Sequence, residues 1–268
     1  MFNEMECARK RLPSLSMVLV MITMTALLPN GTTAALIDLG HSYRFGTTTC
    51  WNPTQRFNIF DVHTGPGPNG VFITESFSTP EHCGTHLDAP FHFNPTGWKL
   101  QDIPLHRTVV EGVHVNVSSE VNGNGDFLLT VNHLKAWEQA NGPLPNRSVI
   151  LVNFGWAHKY GDRQSYYNGL QEPYRFPGLS REAAQWIVDS GKVYGVGVDG
   201  PSVDAGRSTS YEAHGVLSKA NLYNLENVAL NGTTLPPRGF KLVVQPVKIV
   251  GGTGGPVRIL AFTKDAFE

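Results

Sequence analysis

Four side chains that can bind a metal ion or carry a proton fall at even positions within eleven residues: His82, His86, Asp88 and His92. They lie in the run His82-Cys83-Gly84-Thr85-His86-Leu87-Asp88-Ala89-Pro90-Phe91-His92. In an extended segment successive side chains alternate between faces, so all four can project to one side. A helix, advancing about 100° per residue, would splay them around its axis. Gly84 and Pro90 also oppose a helix, one through backbone freedom and the other through its missing donor. The segment is therefore expected to be an extended, ligand-bearing strand or loop. Histidine numbers 10 and Asp plus Glu 22 in 268 residues, so this clustering is a local concentration. Imidazoles with a carboxylate suit Zn²⁺ or Mn²⁺, with a position left for water. A helical His-Glu-x-x-His zinc site is excluded, because Cys83 and not Glu follows His82. The plain alternative is four residues hydrogen-bonded to one another.

The remainder of the chain narrows the setting. Arg9, Lys10 and Arg11 precede an apolar run from Leu15 to Leu28, and the small residues Thr32, Thr33, Ala34 and Ala35 follow it. That order predicts a secretory signal peptide over 1–34, with the folded domain at 35–268. The run falls short of the about 20 apolar residues a membrane helix needs, so no stable membrane anchor is expected. Asn116, Asn146 and Asn231 each open a glycosylation sequon, in keeping with export. Cys50 and Cys83 are the cysteines left after the signal, and they can be bridged or free. A net charge of −1 gives no electrostatic footprint for nucleic acid. A small-molecule substrate fits better.

Hydrophobic periodicity predicts strands at Leu36–Tyr43, Val71–Phe77, Val109–Val117, Ser148–Trp156, Val193–Val198, Leu242–Val250 and Val257–Phe262. Gly65-Pro66-Gly67-Pro68-Asn69-Gly70 reads as a turn before the second of these. Thr130 caps a helix that ends near Gly142, and Ser180 caps another over Arg181–Ser190, stopped by Gly191. Strands with a few helices between them describe a single mixed α/β domain. Gly251-Gly252-Thr253-Gly254-Gly255 is followed by Pro256 and an apolar run rather than a helix. It therefore reads as a strand connection and not a phosphate loop. A serine-hydrolase elbow of the Gly-x-Ser-x-Gly kind is absent.

The eleven-residue run, His-x-Gly-Thr-His-x-Asp-x-Pro-x-His, resembles the signature of the cyclase-like metal hydrolases, which include bacterial kynurenine formamidase and isatin hydrolase. Pro177-Gly178-Leu179-Ser180, Gly197-Val198-Asp199-Gly200-Pro201-Ser202-Val203-Asp204 and Gly251–Arg258 resemble further blocks in the same order. The resemblance implies a strand-rich mixed sheet of the swivelling β/β/α type and a site for two divalent ions, Zn²⁺ or Mn²⁺. It implies that His82, His86 and Asp88 hold one ion, that Asp88 also reaches a second ion whose ligands His214 and Glu226 complete, and that His92 moves protons. It also implies that Trp51 lines the substrate pocket and that the chain forms a homo-oligomer. The leading expectation is hydrolysis of N-formyl-L-kynurenine to kynurenine and formate. The alternatives are hydrolysis of a cyclic amide or lactone, and a secreted metal-binding glycoprotein without catalysis.

Overall fold

The computed structural model describes residues 36–263, so the signal segment expected at 1–34 lies outside the described residues. Strands β1 (Leu36–Asp38), β2 (Asn58–Gly67), β3 (Gly70–Ser78), β4 (His86–Asp88) and β5 (Val109–Asn116) come first. They are followed by α1 (Ser118–Val121), β6 (Leu128–Leu129), α2 (Val131–Asn141), β7 (Ser148–Asn153), α3 (Arg163–Tyr167) and β8 (Gly178–Leu179). The rest comprises α4 (Arg181–Asp189), β9 (Val193–Val198), α5 (Glu212–Lys219), β10 (Tyr223–Glu226), β11 (Arg238–Pro246) and β12 (Gly254–Thr263). The architecture is mixed α/β and strand-rich, as expected.

The main sheet runs β1-β12-β11-β5-β7-β9-β10-β4, and β4 also pairs with β12. Seven strands therefore close into a barrel, with β1 added outside it on β12. The middle strands β5, β7, β9 and β10 run parallel, and their neighbours are antiparallel. Alternation along β7 explains its nearly continuous apolar run. Val149 and Leu151 join Leu87, Val110, Leu225, Leu242 and Ile259 in a cluster drawn from around the barrel, which fills its interior. Ile150 and Val152 face the other way, packing with Leu134, Trp137, Ala183, Ile187, Ala213 and Leu217 of the helix layer. A strand covered on both faces must be apolar on both.

Both predicted helices form where their caps lie. The Ser180 hydroxyl accepts from Ala183 N at 3.1 Å, and Thr130 N donates to His133 Nδ1 at 2.9 Å. Gly191 and Gly142 follow with φ of 64° and 85°, values that a side chain disfavours.

The strand boundaries need correction. The expected Leu36–Tyr43 strand is only Leu36–Asp38, because the chain turns away where Gly40 bridges Val228. The expected Leu242–Val250 strand is Arg238–Pro246: its first residues pair with β5, and beyond Pro246 the backbone turns toward β12. Gly65–Gly67, read as turn, extends β2 instead, pairing with Gly70–Phe72. The β2–β3 hairpin pairs only with itself among the described strands.

Candidate metal centre

Three residues of β4 determine the site. Leu87 points into the barrel, so by alternation His86 and Asp88 share the opposite face. The β10 register sets Asn224 opposite Asp88 and Glu226 opposite His86. Strand pairing thus carries Glu226, distant in sequence, to the histidine segment. His214 arrives on α5, whose first turn is held by Asp204: its carboxylate accepts from Ala213 N at 2.8 Å and His214 N at 3.0 Å.

The expected extended segment exists only at His86–Asp88. Gly84 has φ of 62°, and a Cβ there would come within 2.7 Å of Tyr43 Cζ, so the chain kinks between His82 and His86. Pro90 starts a single 3-10 turn that ends at His92. His82 and His92 therefore reach the site from turns, not by strand alternation.

The groups nevertheless meet. His82 Nδ1 lies 2.7 Å and His86 Nε2 3.1 Å from Asp88 Oδ1. His214 Nε2 lies 3.1 Å from Asp88 Oδ2 and 3.2 Å from Glu226 Oε1, while His86 Nε2 is 3.4 Å from Glu226 Oε2. Donor atoms of His82, His86 and Asp88 form one compact triad, and those of Asp88, His214 and Glu226 form another. Asp88 belongs to both. His92 belongs to neither; its ring stacks on His82 at 4.1 Å between centroids.

Charge tests whether this set suits a cation. Burial opposes ionisation of Asp88, yet the imidazoles of His82, His214 and His86 hold its carboxyl well below the ordinary range. Burial likewise opposes a charged His86, but the Asp88 and Glu226 carboxylates raise it to about 9. His214 is also raised, burial being outweighed by Asp204, Asp88 and Glu226. The pocket thus draws positive charge inward. His86 Nε2 is buried and makes no hydrogen bond, although two carboxylate oxygens lie nearby. A buried polar atom left unpaired beside two carboxylates fits a divalent cation.

Outer groups fix the rings. His86 Nδ1 faces Gly84 O at 2.9 Å and His214 Nδ1 faces Asp204 at 2.6 Å, leaving each Nε2 toward the carboxylates. Asp204 was not singled out as a site residue from sequence; it stood only inside the Gly197–Asp204 block, with no ligand spacing to mark it. Asn227, also missed, donates to Gly84 O at 2.7 Å and follows Glu226 directly.

A cavity of about 470 Å³ opens over this cluster, lined by Trp51, Phe93, Tyr167 and Tyr211 with Asn52, Gln55, Ser202 and Asn227. Trp51 meets Tyr167, Tyr174, Phe176 and Tyr211 edge-on. Cys50 and Cys83 form a disulfide between the Trp51 segment and His82. Asn116, Asn146 and Asn231 are all exposed.

The Cyclase family profile matches residues 37–205, which includes His82, His86, Asp88 and His92 and stops short of His214 and Glu226. Isatin hydrolase of Roseibium aggregatum is 32% identical over 195 residues, 69% of this chain and 73% of its own. Kynurenine formamidase of Salinibacter ruber is 31% identical over 239 residues, 87% of this chain and 98% of its own. Among solved structures, isatin hydrolase A from Ralstonia solanacearum superposes with a TM-score of 0.78 at 32% identity, covering 86% of this chain and 92% of that one. The likeness runs through the segment that builds the histidine cluster, and this chain belongs to the Cyclase family as one of its hydrolases.

Proposed function

We propose that this chain hydrolyses the carbonyl–nitrogen bond of a small aromatic amide at a centre for two divalent ions. The observation that carries this reading is the pair of ligand triads sharing Asp88 on the floor of an aromatic-walled cavity. His82, His86 and Asp88 would hold one ion, and Asp88, His214 and Glu226 the other. When bound, such ions polarise a carbonyl and lower the pKa of a water from 15.7 to about 7.

The chain's own residues supply the rest. Trp51 and Tyr211, which meet edge-on with ring centroids 6.3 Å apart, form one wall against which a substrate's aromatic ring packs beside the cluster. His92 has an ordinary starting pKa near 6.5, and its surroundings shift it downward, desolvation outweighing the pull of Asp88. It is therefore neutral at physiological pH and accepts a proton at a ring nitrogen. The balance is simple: water's hydroxyl goes to the carbonyl carbon, the carbon–nitrogen bond breaks, and water's proton passes through His92 to the leaving nitrogen. The products are a carboxylate and an amine.

Among substrates, the cavity wall favours an uncharged cyclic amide of the isatin type. Beyond the histidine and carboxylate cluster, its lining has aromatic, amide and hydroxyl side chains and, among the described residues, no Lys or Arg to pair with an amino-acid carboxylate. N-formyl-L-kynurenine, first on sequence grounds, is the second reading; it is supported by the near full-length match to a kynurenine formamidase. A panel of both substrates, with and without chelation and Zn²⁺ or Mn²⁺ readdition, separates them. Chelator-sensitive ring opening of isatin faster than deformylation supports the first reading. Metal binding without turnover of any amide would leave the non-catalytic glycoprotein.

Export and self-association belong to the same proposal. The Cys50–Cys83 bridge and three exposed sequon asparagines support a secreted or secretory-lumen protein. The β2–β3 hairpin exposes Ile59, Phe60, Val71, Phe72, Ile73 and Phe77. A two-stranded hairpin with apolar residues in solvent is marginal alone, which supports burial against a second copy of the chain.

A further inference from the structure

Ser202 lines the cavity but has no part in the chemistry so far. It sits in the loop of residues 199–204, which leaves the end of β9. That loop is pinned on both sides of it. Gly200 O accepts from Asn227 N at 3.0 Å, and Val203 O accepts from Leu179 N at 2.8 Å. Val203 N donates to Glu226 Oε1 at 3.1 Å. At the loop's start, the Asp199 carboxylate takes the N–H groups of Phe154, Trp156 and Ala157. Ser202 itself is only 3% exposed, so its neighbours fix its place.

A serine hydroxyl has one proton to give and lone pairs to receive. Ser202 Oγ receives from Asp204 N at 3.2 Å, which engages a lone pair. Among the described residues, none accepts its proton, and none accepts from its backbone N–H. The other buried polar groups of the cavity, outside the histidine and carboxylate cluster, are engaged. Asn227 gives its amide to Gly84 O at 2.7 Å and takes the Tyr166 hydroxyl at 3.0 Å, and Tyr167 donates to Cys50 O at 3.3 Å. Asn52 and Gln55 are exposed and keep their water. A buried polar group without a partner is uncommon in a folded protein. Here two such donors belong to one residue, and covalent geometry keeps the N and Oγ of a serine within reach of a single oxygen.

We infer that Ser202 is a substrate-binding residue, whose hydroxyl and backbone N–H receive a carbonyl oxygen of the bound amide. The inference rests on the hydrolase reading above. Two groups with protons to give select for an oxygen acceptor and turn away an N–H or ammonium end of a ligand. The pinned loop holds both donors in place before the ligand arrives, so little reorganisation is needed on binding.

The test uses the full chain with Ser202→Ala, which removes the hydroxyl, and Ser202→Thr, which keeps it. Steady-state kinetics of the Zn²⁺-loaded proteins with isatin are read beside bound Zn²⁺ from elemental analysis. Isotope-edited infrared spectra of carbonyl-labelled isatin, bound to metal-free protein, read the hydrogen bond itself. The expected result is a carbonyl stretch at lower frequency in the parent than in Ser202→Ala, regained in Ser202→Thr, with Zn²⁺ content at the parental level throughout. If the oxygen is that of the attacked carbonyl, Ser202→Ala lowers kcat by about 10²–10³-fold. If it belongs to a neighbouring carbonyl, KM rises by about two- to tenfold, the range of a neutral hydrogen bond. Either result supports the inference. A stretch that Ser202→Ala does not move, or that Ser202→Thr does not regain, would overturn it. So would a loss of turnover that follows loss of Zn²⁺, which would make Ser202 a support for Asp204 alone. A parent that turns over no amide defeats the hydrolase reading, while the stretch of bound isatin still decides the hydrogen bond. A parent that binds no isatin overturns the inference as well.

Discussion

Replacing both Cys50 and Cys83 by alanine removes a bridge that closes a loop spanning 33 positions. For a loop of that length, the chain-entropy relation gives about 12 cal/mol/K, or about 4 kcal/mol at 25 °C, of lost constraint on the unfolded state. In a domain of this size, each kcal/mol moves the melting midpoint by about 2–4 °C, so a drop of about 8–16 °C is expected. The local geometry confines the damage. Cys50 and Cys83 also face each other as a backbone bridge, and Gly84 N donates to Thr49 O at 2.8 Å. Arg163 holds the carbonyls of Cys50 and Trp51 at 2.5 and 2.8 Å. Trp51 therefore stays in the cavity wall, and KM should change far less than stability. Calorimetry of the metal-free parent, the double-alanine variant and the parent under reductant measures the shift. A midpoint within about 3 °C of the parent, at most about 0.8–1.5 kcal/mol on this scale, would refute the entropy argument.

His92→Ala should lower kcat by about 10²–10⁴-fold, the usual worth of a positioned proton carrier, while bound metal measured by elemental analysis stays at the parental level. In metal-free protein, His86 sits at about 9 against an ordinary 6.5, so its stabilising contribution is complete below pH 6.5 and lost as pH rises through 9. Thermal melts of metal-free protein should accordingly decline over that window, and a flat profile would contradict the charge reading. Phe72→Lys with Ile73→Glu should convert an oligomer to monomer in light scattering without lowering the melting midpoint of the barrel. An unchanged mass would remove the hairpin from the interface.

The histidine run was legible because its residue types and spacing are local, and β4 is short enough to need little else. Parity was right for His86 and Asp88, where alternation holds. It gave no account of His82 and His92, which the Gly84 kink and the Pro90 turn deliver instead. Glu226 and His214 came from family resemblance alone, since the pairing of β10 with β4 is a long-range fact that no local pattern encodes. β10 itself, Tyr223–Glu226, escaped notice because two of its four residues are polar and face the site rather than the core. Asp204 carried no local signal either: it acts through His214, ten residues on, from a loop whose course no periodicity encodes. The β2 half of the hairpin was hidden by its glycines and proline, which read as turn, and by its lack of a packed face.

Anomalous diffraction from crystals grown with Zn²⁺ tests the central claim most directly. The account predicts metal density bounded by His86 Nε2, His214 Nε2, His82 Nδ1, Asp88 and Glu226, at the about 2.0–2.2 Å typical of zinc bound by nitrogen and oxygen. It also predicts loss of that density in Asp88→Asn, which removes the charge both triads share. Zinc seated elsewhere, or an undiminished peak in Asp88→Asn, would contradict it.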